Sequence, residues 1–266
     1  TGVIGPQDGD IQIALAEDHQ PTADYIKRMR EVLPKEFPGV TFSFPPSDIV
    51  SQILNFGSPA PIDIQIRGNN LNGNFDYATT LLKQIREVPG VADARIQQTR
   101  QAPVLKVDVD RTRAQEMGLT IRDVTNNMVV NLSGSSQAAP TFWLNPANNV
   151  SYPIVMQTPQ YLLDSLPALE SLPINSTTSD GSMQLGGLAT IGRSMAPGVI
   201  SQYDIQTMVQ LHMTTQDRDL GAVAADIRKV LKETEANVPK GSTVHLLGQI
   251  STMEKSFSGL LYGLLG

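Results

Sequence analysis

The sequence predicts an α+β fold made of two ferredoxin-like split βαβ units, the first incomplete, with a further α+β segment inserted into the second. Three observations carry this prediction. A strand, an amphipathic helix, a Pro-Gly-type turn and a second strand recur three times, with turns at Phe37-Pro38-Gly39, Val88-Pro89-Gly90 and Val238-Pro239-Lys240-Gly241. The third copy lies far downstream of the second, so something folded separates them. Apolar residues make up 40% and charged residues 17% of the 266 residues, the balance of a chain with a core.

In the first copy, residues 11–15 alternate as a strand, residues 21–33 carry an apolar stripe (Ile26, Met29, Val32, Leu33), and residues 40–44 alternate again. In the second, Ile62, Ile64 and Ile66 share one strand face, residues 75–87 form the helix with Asn74 as candidate N-cap, and residues 91–95 return as a strand. The third copy runs from a strand at 208–213 through a helix at 220–235, capped by Asp217 or Asp219, to a strand at 243–247. Between copies two and three, residues 104–110 alternate as a strand. A short helix then ends at Gly118, and Thr120 with Asp123 opens another as a capping box. Residues 142–144 and 150–156 flank Asn145-Pro146-Ala147-Asn148-Asn149 and predict a hairpin. The apolar tail at 250–266 is shorter than the roughly 20 residues that span a bilayer. It reads either as a packing helix or as the start of a membrane helix.

Chemistry-bearing motifs are few. Net charge is −6, a balance that does not favour nucleic acid, and the lack of cysteine excludes disulfides and thiolate sites. His19, His212 and His245 are scattered, and the nine methionines show no soft-metal cluster. Asp108 and Asp110 invite a paired-carboxylate reading, but Lys106, Arg111 and Arg113 surround them and favour a charge-paired strand edge. Gly134-Ser135-Ser136 is no nucleophile elbow, and Gly2 to Gly9 form no phosphate loop. No catalytic constellation and no cofactor motif is present, so an enzyme is not expected.

Four strings, taken together in order, resemble a known family. Leu105-Lys106-Val107-Asp108-Val109-Asp110-Arg111, continuing through Ala114 to Met117-Gly118-Leu119-Thr120-Ile121-Arg122-Asp123-Val124, and then Phe142-Trp143-Leu144-Asn145-Pro146 with Val150 to Ile154, occur in order. With Pro239-Lys240-Gly241 and Leu247-Gly248-Gln249, they resemble the second large periplasmic loop of an RND-superfamily efflux permease of the AcrB-like, hydrophobe/amphiphile multidrug branch. The resemblance implies that residues 1–56 are a truncated porter subdomain, PC1. Residues 57–107 and 200–249 are then the halves of porter subdomain PC2, 108–199 the docking subdomain DC, and 250–266 the start of a transmembrane helix. It implies an inner-membrane homotrimer with this segment in the periplasm, a periplasmic adaptor protein and an outer-membrane channel as partners, and proton-driven export of hydrophobic or amphiphilic compounds. Export of metal ions or lipids by the same architecture is the alternative, and a stand-alone binding module of tandem ferredoxin-like units is the alternative of another class.

The resemblance also suggests a cargo site. The stretch matching the family's switch loop is Val3-Ile4-Gly5-Pro6-Gln7, without that loop's phenylalanines and arginine. Ile62, Ile64 and Ile66 either face the helix as core or line the cleft between porter subdomains, where Arg95 on the neighbouring strand offers a cation. Phe142, Trp143 and Tyr152 either fill the core of the insertion or meet a partner.

Overall fold

A computed structural model describes residues 5, 7–46, 53, 58, 60–176, 182–253, 256, 259 and 263. The chain divides into two units, residues 1–102 with 196–266 and residues 103–195. The first opens with α1 (Thr22–Glu36), which buries none of its side chains. The strands expected at residues 11–15 and 40–44 do not form. A strand needs a neighbour for its N–H and C=O groups; among the described residues none pairs with them, and Ile11 and Ile13 stay exposed. β1 (Ile62–Arg67) leads into α2 (Leu71–Arg86), which begins earlier than the sequence pattern predicts. Its N-cap is Asn70, whose Oδ1 accepts from the Gly73 N–H. Asn74, the expected cap, lies buried inside the helix, donating to the Gly68 carbonyl and accepting from the Ser242 hydroxyl. Gly90 at φ 87° makes the turn into β2 (Val91–Ile96); a Cβ there would meet Arg218 Cβ at 2.7 Å.

The second unit holds β3 (Ala102–Val109), α3 (Arg111–Glu116) and α4 (Ile121–Ser133). Asp110 caps α3, and the Thr120–Asp123 box caps α4 as its spacing predicts. β4 (Thr141–Leu144) and β5 (Ser151–Ile154) form the expected hairpin. They are followed by α5 (Leu166–Glu170), β6 (Pro173–Asn175), β7 (Ser182–Gln184), α6 (Leu185–Leu188) and β8 (Ala189–Ala196), which pairs with β3. Ala114, Leu119, Val124, Leu172, Ile174, Leu185 and Leu188 are its core. Phe142, Trp143 and Tyr152 are not part of it. All three are exposed, because each strand of the two-stranded hairpin has solvent on both faces. Asp108 pairs with Lys106 and Asp110 with Arg113, so the two carboxylates serve a charged edge and a helix cap.

The chain returns to the first unit through β9 (Ser201–Tyr203), β10 (Gln206–Thr215), α7 (Leu220–Glu233), capped by Asp219, and β11 (Thr243–Gly248). The sheet order is β11-β1-β10-β2 with every neighbouring pair antiparallel, and β9 adds to β10. This interleaving of two βαβ halves is the ferredoxin-like arrangement the repeats predict. α2 and α7 supply Ala78, Leu81, Ile85, Val223, Ala224 and Ile227, which cover Ile62, Ile64, Ile66, Val209, Leu211 and Met213 on one sheet face. Residues 249–253 begin a helix after β11, and most of the remaining tail lies outside the described residues. Among the described residues no helix is long and apolar enough to cross a membrane.

The β9–β10 turn is strained. Asp204 and Ile205 both have positive φ, 48° and 67°, and Ile205 is 90% exposed. A two-residue hairpin turn of this kind favours Asn-Gly, and a β-branched residue there is disfavoured. Replacing Ile205 with Gly removes the strain and loses no packing, so stability measured by thermal or urea unfolding rises by about 1 kcal/mol. A lower melting temperature in Ile205→Gly would show that the tip is held by contacts instead.

Candidate functional site

Strand parity decides which side chains reach the face of the five-stranded sheet opposite α2 and α7. With the isoleucines of β1 turned to the helices, Asp63, Gln65 and Arg67 point the other way. Register sets their neighbours: Asp63 stands opposite His212 and Leu247, Gln65 opposite Gln210 and His245, Arg67 opposite Met208 and Thr243, and His212 opposite Arg95. A polar face results, and it is largely buried: Asp63, Gln65, Gln98 and His212 all fall below 10% exposure.

Its hydrogen bonds form one connected network. Asp63 Oδ2 accepts from Gln65 Nε2 at 2.8 Å and from Gln210 Nε2 at 3.3 Å. Gln98 donates to Gln210 Oε1 and Ser201, and accepts from the Gln210 N–H. Arg67 donates twice to Gln65 Oε1 and lies 3.6 Å over the Tyr203 ring. His212 Nδ1 meets Gln97 Oε1 at 3.1 Å, so the ring proton sits on Nδ1 and is donated to the amide oxygen. One gap remains in the network. Asp63 Oδ1 and His212 Nε2 face one another at 3.5 Å, fully buried, and neither has a hydrogen-bond partner.

Burial first, and then the Arg95 charge, hold the His212 pKa at about 4, so the imidazole is neutral at pH 7. Burial pushes the Asp63 carboxyl up, against the pull of its Gln65 and Gln210 hydrogen bonds and of Arg67. The two groups are therefore not an ordinary ion pair.

Beside this face lies a cleft of about 770 Å³ between α1, residues 40–44 and the edge strand β2. Val40, Phe42, Phe44, Pro34 and Val91 give it apolar walls. Arg30 spans it with two hydrogen bonds to Asp93, at 2.9 and 2.7 Å, and a third to Gln216. Asp93 Oδ2 also accepts from the Phe44 N–H. Asp93 occupies an irregularity in the β2–β10 register, with φ of 54°, which turns its carboxylate toward α1. Lys27 and Asp217 form a second, exposed tie.

Of the residues singled out from sequence, Val3 and Ile4 lie outside the described residues. Ile62, Ile64 and Ile66 have no exposed surface, and this corrects the cleft-lining expectation: alternation turns all three beneath α2 and α7. Arg95 is on the polar face, half-buried, and burial pulls its guanidinium pKa down against the opposing charges of Asp93 and Asp8. Gln7 reaches the same end of the sheet and donates to Thr99. Asp63 and His212 were missed. The signal was present in Ile62-Asp63-Ile64-Gln65-Ile66-Arg67, whose polar positions alternate with the apolar ones, but only the β1–β10 register brings the two residues together. Among the described residues no three His, Asp or Glu side chains gather in metal-binding geometry.

Two outcomes are expected. Because the His212 pKa is depressed from 6.5 to about 4, the unfolded chain takes up this proton first. The contribution of His212 is present above pH 6.5 and is lost as pH falls toward 4, by about 3 kcal/mol in all. Urea unfolding of His212→Gln therefore loses less stability between pH 7 and pH 4.5 than the parent does, and parallel curves would refute the assignment. Arg30→Ala removes the main tie of a helix with no buried side chain. Amide hydrogen exchange in residues 22–36 then quickens roughly tenfold or more, the change expected from losing charged hydrogen bonds of about 1.5–3 kcal/mol; unchanged protection would mean that something else holds α1.

Residues 4–262 match the family model described as the AcrB/AcrD/AcrF family. The cation efflux system protein CusA of Escherichia coli (strain K12) is 27% identical over 204 residues, which is 77% of this chain and 19% of that protein. The cobalt-zinc-cadmium resistance protein CzcA of Cupriavidus metallidurans is 22% identical over 211 residues, again 77% of this chain and 19% of the relative. The crystal structure of a heavy metal efflux pump superposes with a TM-score of 0.73 at 20% identity, over 94% of this chain and 25% of the pump chain. The chain thus spans about a fifth of the length of these curated relatives.

Proposed function

Because the chain belongs to the AcrB/AcrD/AcrF family of RND-superfamily permeases, we propose that it supplies the periplasmic porter and docking segment of an efflux pump whose cargo is a metal cation. Membership makes it a transport protein and not an enzyme. In this reading residues 1–56 belong to a first, truncated porter subdomain. Residues 57–107 with 200–249 form the second porter subdomain, 108–199 the docking subdomain, and 250–266 lead into the membrane. The pump is an inner-membrane homotrimer that works with a periplasmic adaptor and an outer-membrane channel, and this segment lies in the periplasm. The exposed Phe142, Trp143 and Tyr152 offer the docking subdomain an aromatic surface for another subunit.

Cargo class rests on the relatives and not on the polar sheet face, whose Asp63, Gln65 and His212 are buried. The names of the relatives, cation efflux and cobalt-zinc-cadmium resistance proteins, support the metal reading over the multidrug reading that the sequence motifs first suggested. One observation favours amphiphiles as a second reading: the apolar walls of the cleft near Phe42 and Phe44.

The test is a susceptibility assay with the full-length permease, its adaptor and its channel in an efflux-deficient host. Protection against zinc, cobalt or nickel salts is expected, with no change for ethidium or a bile salt. Protection against the amphiphiles alone would reverse the assignment.

A further inference from the structure

Asp63 Oδ1 and His212 Nε2 face one another at 3.5 Å, both buried and both without a hydrogen-bond partner. Buried polar atoms are almost always satisfied, so the pair calls for a reason. The other polar atom of each side chain is engaged. Asp63 Oδ2 accepts from both Gln65 and Gln210, and His212 Nδ1 donates its proton to Gln97 Oε1. What remains is an acceptor facing an acceptor, and a single proton between them satisfies both.

That proton can sit on either atom. On Nε2 it makes a carboxylate–imidazolium pair, with two charges held out of water. Burial and the Arg95 guanidinium, which stands opposite His212 on β2, both oppose the imidazolium. On Oδ1 it makes two neutral groups, and burial favours the neutral carboxyl. The charges nearby are few. Among the described residues, Arg67 on β1 pulls toward the carboxylate, Asp93 and Asp8 offset Arg95, and His245 on β11, opposite Gln65, is itself disfavoured as a cation by burial and by Arg67.

We propose that the folded chain holds a proton on Asp63 Oδ1, donated to His212 Nε2, and that Asp63, His212 and Gln97 form a pH-sensitive relay. Release of this proton to solvent leaves a carboxylate. The ring proton then moves from Nδ1 to Nε2, where Asp63 Oδ1 accepts it, and the Gln97 carboxamide turns over to donate its Nε2–H to the vacated Nδ1. One proton leaves, the imidazole is neutral before and after, and neither Asp63 nor His212 is left with an unpaired atom. The relay starts on β1, passes through β10 and ends just beyond β2 at Gln97, whose N–H is bonded to the Gln210 carbonyl. β2 also carries Asp93, the anchor of Arg30, so a proton gained or lost on the buried face is registered beside the strand that walls the cleft. The relay does not depend on which cargo the pump carries.

The test is a titration of the 266-residue chain from about pH 4 to about pH 9, followed by NMR of the Asp63 carboxyl carbon and the His212 ring nitrogens. One coupled transition is expected: the carboxyl ionises above the ordinary carboxylate range, and over the same interval the ring proton passes from Nδ1 to Nε2. Asp63→Asn presents an N–H to His212 Nε2 at every pH, so the ring keeps its Nδ1–H form throughout. His245→Gln leaves the transition unchanged. Stability reports the same proton. The folded carboxyl binds it more tightly than the unfolded one, so this contribution is present in acid, below the ordinary carboxylate range, and is lost as pH rises through the folded value. Asp63→Asn has no such loss and melts progressively further above the parent as pH rises across that interval. A carboxyl that is ionised throughout, one that titrates while the ring proton stays in place, a ring transition that persists in Asp63→Asn, or a melting difference that does not change with pH overturns the relay.

Discussion

The pairing register of β1 and β10 is the constraint on which the rest depends. It sets Ile62 against Met213, Ile64 against Leu211 and Ile66 against Val209, and by the same alternation Asp63 against His212 and Gln65 against Gln210. A slip of one residue in β1 would send the isoleucines to the opposite face and bury the carboxylate of Asp63, the carboxamide of Gln65 and the guanidinium of Arg67 under the helices. Hydrophobic burial therefore enforces the position of the polar groups. The core is the reason the polar face has a fixed geometry, since Asp63 and His212 each stand one residue from side chains that have no exposed surface.

The two parts of the first unit are held by different physics. The sheet with α2 and α7 is a packed apolar core. Helix α1 has no buried side chain and is fastened by the Arg30 fork on Asp93 and by Lys27 on Asp217. Packing resists small displacements and tolerates no intermediate, whereas ion pairs of this geometry break and reform as units. The cleft between them is accordingly bounded by one rigid wall and one tethered wall, a natural arrangement for a compartment that changes volume.

The repeat made the fold legible because a period of two and a period of 3.6 are local properties. Strand, helix and turn of the second and third copies stand close to where their patterns put them, as do the Thr120–Asp123 capping box and the hairpin at 141–154. The strands of the first copy were legible as patterns and yet do not form, since pairing depends on a neighbour that the pattern does not contain. Asn74 was misassigned as a cap because the helix start is fixed by Asn70 and a buried contact to Ser242, far away in sequence. The site was half legible. The sequence reading set Arg95 beside the isoleucines, whereas it stands opposite His212 on the other face; the apolar strand positions were chosen over the polar ones, and the meeting of Asp63 with His212 is a long-range fact about register.

The insertion also bears on how the chain reaches its native state. β1 pairs with β10 and β11, and β2 with β10, across a long stretch of sequence, so the central sheet is dominated by non-local contacts and its assembly is intrinsically slow. β3 and β8 lie at the two ends of the inserted segment and pair with each other. Once that ribbon zips, the ends of the insertion are held together and the effective loop between β2 and β10 becomes short, which lowers the entropy cost of closing it. The inserted unit has a core of its own, so its ends are held without help from the central sheet. A lesion in that core then delays formation of the Asp63–His212 face, although none of the residues changed belongs to the sheet.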